Sequence, residues 1–224
     1  MYKYLIFIVF LYCCNEKKLD TKNSNSKIVD IKLDTFYFFK GKVSQDDTSF
    51  QLTDEEMGVG DDGIYNLQEP LFTTNLNVKK DYSIDNISDW NLSKSFVFSI
   101  DSSIKNPTVF CQFDFSNYTN KKDTFFSIDN IFFYNGYRKS LKVWENNSRV
   151  KSLNIYINDK LKGKISLMDT YKLQIIDIEK LKLYCVGGEK MKISFEFKEF
   201  YEGKQYKNEV AISELELTGT RISD

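Results

Sequence analysis

The sequence predicts an all-β fold, an antiparallel sandwich or barrel, and three observations carry that prediction. Apolar and polar side chains alternate with a period of two in many short segments. Clusters of Asn, Asp, Gly and Ser separate these segments at short intervals. No window holds the i, i+3, i+4 apolar stripe of an amphipathic helix. With 224 residues, 42% of them hydrophobic and 16% aromatic, the chain has material for one full-size core and a small extension.

The elements follow in chain order. Residues 1–14 resemble a bacterial lipoprotein signal peptide: Lys3 supplies a charge, YLIFIVFLY at 4–12 is apolar, and Cys14 follows with Leu11 three positions before it. Such a run is too short to span a bilayer and suits the apolar core of a signal. The expected modification is lipidation of Cys14. It would place the protein on the bacterial cell envelope, held to the outer membrane or cell surface through the lipid. An uncleaved anchor and a plain secretory signal are the alternatives. Residues 15–27 (NEKKLDTKNSNSK) read as a polar tether. Residues 28–80 read as a β-rich N-terminal extension, with a strand at 31–39 and an acidic stretch from Asp46 to Asp62. The spacing of those acids fits no EF-hand loop, so the stretch is expected to be a solvated loop. Residues 81–224 form the main domain, with strands at 95–100, 108–115, 127–134, 150–157, 164–167, 173–178, 191–197 and 211–217. The alternation is cleanest in KMKISFEFK at 190–198, which turns Met191, Ile193, Phe195 and Phe197 inward. Turns are expected at Asn158-Asp159, Gly187-Gly188 and Glu202-Gly203.

Composition removes whole classes of chemistry. There is no histidine, so a Ser-His-Asp triad, a Cys-His pair, an HExxH helix and an imidazole base are all excluded. The 31 basic and 32 acidic side chains balance, giving no field for a phosphate backbone, and no nucleic-acid partner is expected. Cys111 and Cys185 sit on faces expected to be buried; a disulfide and two free thiols both remain open.

Five strings then run in order: NGYRKS at 135–140, NNSRVK at 146–151, LMD at 167–169, YEGKQY at 201–206 and ISEL at 212–215. The series resembles the family named for the glycan-binding translocation domain of streptococcal NAD glycohydrolase. That family is a branch of the discoidin, or coagulation factor 5/8 type C, sandwiches. Its pattern is NGY-x-K, N-x-R-V-K, L-x-D, Y-x-G-x-K-Y and I-S-E-I. DWNLSKSFV at 89–97 looks like the family's D-G-D-x-S-T-A-W-V entry loop, with Trp90 in place of glycine, Lys94 of threonine and Phe96 of tryptophan. The resemblance covers about residues 85–218. It implies a galactose-binding-like jelly-roll β-sandwich, and no NAD hydrolysis, because the toxin's catalytic domain has no counterpart here.

Physical chemistry gives these residues duties. Tyr137, Trp144, Tyr201 and Tyr206 have flat apolar faces suited to sugar C–H surfaces, with polar tips for hydroxyls. Asn135, Arg138, Asn147, Arg149 and Lys151 supply donors and acceptors around them. The alternative is that Asn135, Arg149 and Asp169 form a structural network tying loops together. The resemblance also implies a structural calcium, with oxygens from Asp89, Asn91 and Glu214; a Glu214–lysine pair is the alternative. The expected function is a non-catalytic envelope lipoprotein whose sandwich binds carbohydrate or another surface ligand. The alternatives are a structural or adhesion lipoprotein with a protein partner, and, as a minor one, a hydrolase pairing Asp169 with Glu214.

Overall fold

The computed structural model describes residues 35–43, 70–117 and 124–222. The expected signal, Cys14, the tether and the whole acidic stretch from Asp46 to Asp62 lie outside the described residues. All described residues belong to one compact unit, Asp34–Asp224.

The expected all-β class holds, and strands arise at each of the eight main-domain segments where alternation placed them, with Lys42–Val43, Leu71–Thr74 and Leu183–Val186 in addition. In chain order they are β1 (Tyr37–Lys40), β2 (Lys42–Val43), β3 (Leu71–Thr74), β4 (Phe96–Ser99), β5 (Thr108–Asp114) and β6 (Thr124–Asn135). Then follow a six-residue helix α1 (Leu141–Asn146), β7 (Asn147–Ile157), β8 (Lys160–Ser166) and β9 (Gln174–Asp177). The last are β10 (Leu183–Val186), β11 (Lys190–Tyr201) and β12 (Tyr206–Arg221). One sheet runs β1-β8-β7-β11-β5-β3. The other runs β2-β9-β6-β12-β4, with β10 continuing along the β6 edge. Their inner faces share a core that includes Phe96, Phe98, Phe126, Phe133, Phe195 and Phe197, each at most 1% exposed. Phe98 and Phe197 stack at 5.4 Å between ring centroids.

Two features differ from the expectation. The sheets are mixed, because β1 joins β8 in parallel and the start of β7 joins β12 in parallel. β1, β2 and β3, from the segment expected to be an extension, are hydrogen-bonded to β8, β9 and β5 of the sandwich. The β7–β8 hairpin turns at Asn158 and Asp159, which both adopt positive φ (47° and 64°) as a tight two-residue turn requires. Cys111 and Cys185 are buried free thiols. Burial pushes both thiol pKa values up, that of Cys185 to about 12, which leaves them unreactive.

Candidate functional site

The chain between β6 and β7 makes a polar hub at one end of the sandwich. Asn135 ends β6 and is 1% exposed. Its Nδ2 donates to the Val150 carbonyl at 2.6 Å and its Oδ1 accepts from Val150 N at 2.9 Å, clamping β6 to β7. Gly136 follows at φ +91°, and a Cβ there would meet Trp144 Cδ1 at 2.4 Å. Only glycine serves here. Ser140 caps α1 by accepting from Val143 N at 3.2 Å, and the helix lays Trp144 over the hub. Trp144 Nε1 donates to the Asn135 carbonyl at 2.7 Å.

Arg149 closes the hub. Its guanidinium lies 4.2 Å from the centre of the Trp144 ring and donates to the carbonyls of Trp144 at 3.0 Å and Asn147 at 2.6 Å. Nε and Nη2 grip the two oxygens of Asp169 at 2.7 and 3.1 Å, a bidentate pair. Arg138 is buried with its guanidinium 4.4 Å from both the Tyr134 and Tyr171 rings. Gly203 explains the tyrosine-glycine string: its N–H donates to Ser148 Oγ at 3.0 Å, and a Cβ would meet the Asn146 carbonyl at 2.3 Å. Tyr201 donates to the Leu167 carbonyl at 2.9 Å, and Lys151 faces Glu199 across 3.9 Å.

Beside the hub lies a cavity of about 380 Å³. Tyr82, Tyr137 and Tyr206 line it, with Asn147, Lys139 and the ion-paired Lys79 and Glu209. Tyr82 and Tyr137 meet edge to face at 6.0 Å. Burial, and the neighbouring Tyr82, hold the Tyr137 phenol above its usual pKa, so it stays a neutral donor and acceptor. The structure thus brings three of the expected ligand residues, Tyr137, Asn147 and Tyr206, to one concavity. Asn135, Arg138, Trp144 and Arg149 lie in the buried hub. Tyr82, Lys79 and Glu209 were not foreseen: Lys79 and Glu209 are 130 positions apart, and no local spacing announces their meeting.

The entry loop bears on calcium. Trp90 holds φ 56°, the left-handed conformation that the family's glycine adopts freely. Asn91 Oδ1 accepts from Ser93 N at 3.1 Å and Ser93 Oγ at 2.5 Å. Asp89 Oδ1 accepts from Asn91 N at 3.0 Å, and its Oδ2 faces Lys94 Nζ at 3.4 Å. Glu214 is 1% exposed. No donor reaches hydrogen-bond geometry on either of its oxygens, though the N–H groups of Asn91 and Trp90 lean toward it. Calcium requires six to eight oxygens. This loop turns N–H groups and an ammonium toward its carboxylates, and among the described residues no three His, Cys, Asp or Glu side chains converge on one point. The residues present do not fit the ion. Burial first, then the charges of Glu216 and Asp89, push the Glu214 pKa up to about 9, so a proton neutralises it. Calcium or a chelator is therefore expected to leave the melting temperature unchanged; a calcium-dependent rise would overturn this.

The model of the family described as NAD glycohydrolase translocation F5/8 type C domain matches residues 68–218. No curated protein matches the chain. Among solved structures, the CBM32-1 and CBM32-2 domains of Clostridium perfringens ZmpB superpose with a TM-score of 0.50 at 15% identity. That match covers 84% of this chain and 42% of the other, so the chain spans less than half of that structure's length. The F5/8 type C domain of a Bacteroides fragilis protein matches with a TM-score of 0.46 at 8% identity, over 68% of this chain and 93% of that one.

Proposed function

The chain belongs to the NAD glycohydrolase translocation F5/8 type C domain family, and on that premise we propose that its sandwich binds carbohydrate without performing chemistry. The observation that carries the reading is the cavity beside the hub. It offers the faces of Tyr82, Tyr137 and Tyr206 for sugar C–H surfaces, and Asn147, Lys139 and Glu209 for hydroxyls. The hub beneath, pinned by Arg149 and Asn135, holds these walls before a ligand arrives, which lowers the ordering cost of binding. In the same direction, the two carboxylates of the minor hydrolase alternative are separately engaged: Asp169 grips Arg149, and Glu214 is buried beside Glu216 and Asp89.

A glycan array followed by calorimetry on the full chain tests this. Tyr137→Ala is expected to weaken the best ligand by about tenfold, the loss of one stacking face. Tyr206→Ala should do the same, while Lys151→Ala leaves affinity unaltered. Binding that survives both tyrosine changes would remove the cavity from the reading.

The envelope address belongs to the same proposal and rests on the apolar run and Cys14. A single acyl chain gives only marginal membrane binding, so stable anchoring requires more than one chain on the mature terminus. Cys14→Ser is expected to shift the protein from the membrane fraction to the soluble one; unchanged partition would refute lipidation at that position.

A further inference from the structure

The outer face of the β7-β11-β5 sheet carries a second feature, away from the hub. On β11, Ser194 stands in register with Phe110 of β5 on one side and Tyr156 of β7 on the other. One row further, Glu196 stands between Thr108 and Asn154. Side chains rise roughly perpendicular to a sheet. Two aromatic walls, two strand spacings or about 9.6 Å apart, thus flank a serine floor. A cavity of about 210 Å³ occupies this trough, with Asn106 and Asp159 also in its lining.

The walls are built rather than incidental. Tyr156 Oη donates to Glu196 Oε2 at 2.7 Å, and the same oxygen accepts from Asn154 Nδ2 at 3.0 Å. Lys198 Nζ donates to Glu196 Oε1 at 2.9 Å. On the opposite wall, Lys192 Nζ stands 5.7 Å from the centre of the Phe110 ring and pairs with Asp159 at 2.6 Å. Ser194, 4% exposed, has an Oγ with no hydrogen-bond partner in the protein. A fold retains such a hydroxyl at a cost, which a ligand or bound water would relieve.

We propose that this trough is a second binding site, for one ring of a neutral pyranose. A saturated ring between two aromatic faces, each at ordinary van der Waals contact, matches the spacing of the walls. Its hydroxyls answer Ser194, Asn106 and Asp159. The charges cancel, Glu196 against Lys198 and Asp159 against Lys192, so no net field favours a phosphate, sulfate or cationic ligand. The site is independent of the tyrosine cavity. Two modest sites on one chain would raise avidity for a polymeric glycan beyond either alone.

Backbone amide chemical-shift titration of the full chain tests this with methyl galactoside, methyl glucoside and N-acetylglucosamine, and with glucuronate and adenosine as counter-probes. At least one neutral sugar is expected to shift the amides of Phe110, Tyr156 and Ser194 saturably. Ser194→Leu, which fills the floor, abolishes those shifts. Phe110→Ala weakens them about tenfold. Both variants leave any response at the Tyr137 and Tyr206 amides intact, so failure here is separable from failure of the tyrosine cavity. No saturable shift with any neutral sugar, shifts that persist in both variants, or a response confined to glucuronate or adenosine would each overturn the proposal.

Discussion

Arg149→Ala is expected to cost the chain about 3 kcal/mol of stability, because it removes the group on which the hub closes. The side chain is 6% exposed, and its donors satisfy two carbonyls, of the buried residues Trp144 and Asn147, that lose this partner when the guanidinium leaves. Each unsatisfied buried acceptor costs about 1–3 kcal/mol, and the vacated volume beneath the Trp144 ring adds a cavity term. The charge itself matters less. Asp169 is 39% exposed and rehydrates when its partner goes, so the loss falls short of that for a wholly buried pair. For a unit of this size, about 3 kcal/mol lowers the melting temperature by about 10 °C. Arg149→Lys restores a charge but not the planar fork that reaches Asp169 and two carbonyls together, so it recovers less than half of the loss. Lys151→Ala, two residues along and half-exposed, stays within about 0.5 kcal/mol of the parent. Thermal melts of the three variants decide the matter. An Arg149→Ala protein that melts with the parent but loses its ligand would make the arginine a ligand contact.

This outcome bears on what the sequence made legible. Eight strands of the main domain were readable because a half-buried strand writes its face into alternate positions: Met191, Ile193, Phe195 and Phe197 are all buried. The short edge strands β1, β2 and β3 were harder. β3 owes its existence to pairing with β5, nearly forty positions away, and Leu71–Thr74 has too few residues to show a period. Helix α1 is shorter than two turns, so no apolar stripe announces it; the local signal is the Ser140 cap. Of the residues in the ordered strings, Tyr137, Asn147 and Tyr206 line one cavity. Beyond that, a string does not distinguish a residue that a fold needs from one that a ligand needs. Asn135 and Arg149 carry donors of the kind a sugar takes, yet these donors are spent on the Val150, Trp144 and Asn147 carbonyls and on Asp169. Tyr82 and Lys79 had no signal at all, because tertiary pairing alone brings them to Tyr137 and Glu209.

Glu214→Gln is expected to change the pH dependence of stability strongly. Glu214 is 1% exposed on β12, and its pKa is pushed up from the ordinary carboxyl range to about 9. Burial is the largest cause, followed by the negative charges of Glu216 and Asp89, with the N–H groups of Asn91 and Trp90 opposing weakly. The folded state therefore keeps a proton that the unfolded chain releases above its ordinary carboxyl pKa. Protons bound in the unfolded state are the fewer, so stability falls as pH rises. The contribution is fully present below the ordinary carboxyl pKa, erodes as pH rises above it, and is gone once pH passes about 9. Glutamine has the shape of the protonated acid and does not titrate. The parent and the variant should thus be close in stability near pH 5, and diverge in the variant's favour through pH 6, 7 and 8. Other groups titrate equally in both proteins, so their effects cancel in the difference. Urea unfolding at these four values measures it. Parallel curves would show that Glu214 is ionised in the folded state and that a cation other than the proton balances it. The entry loop, with Lys94 turned to Asp89 and Trp90 held at positive φ, would then have to open to admit one.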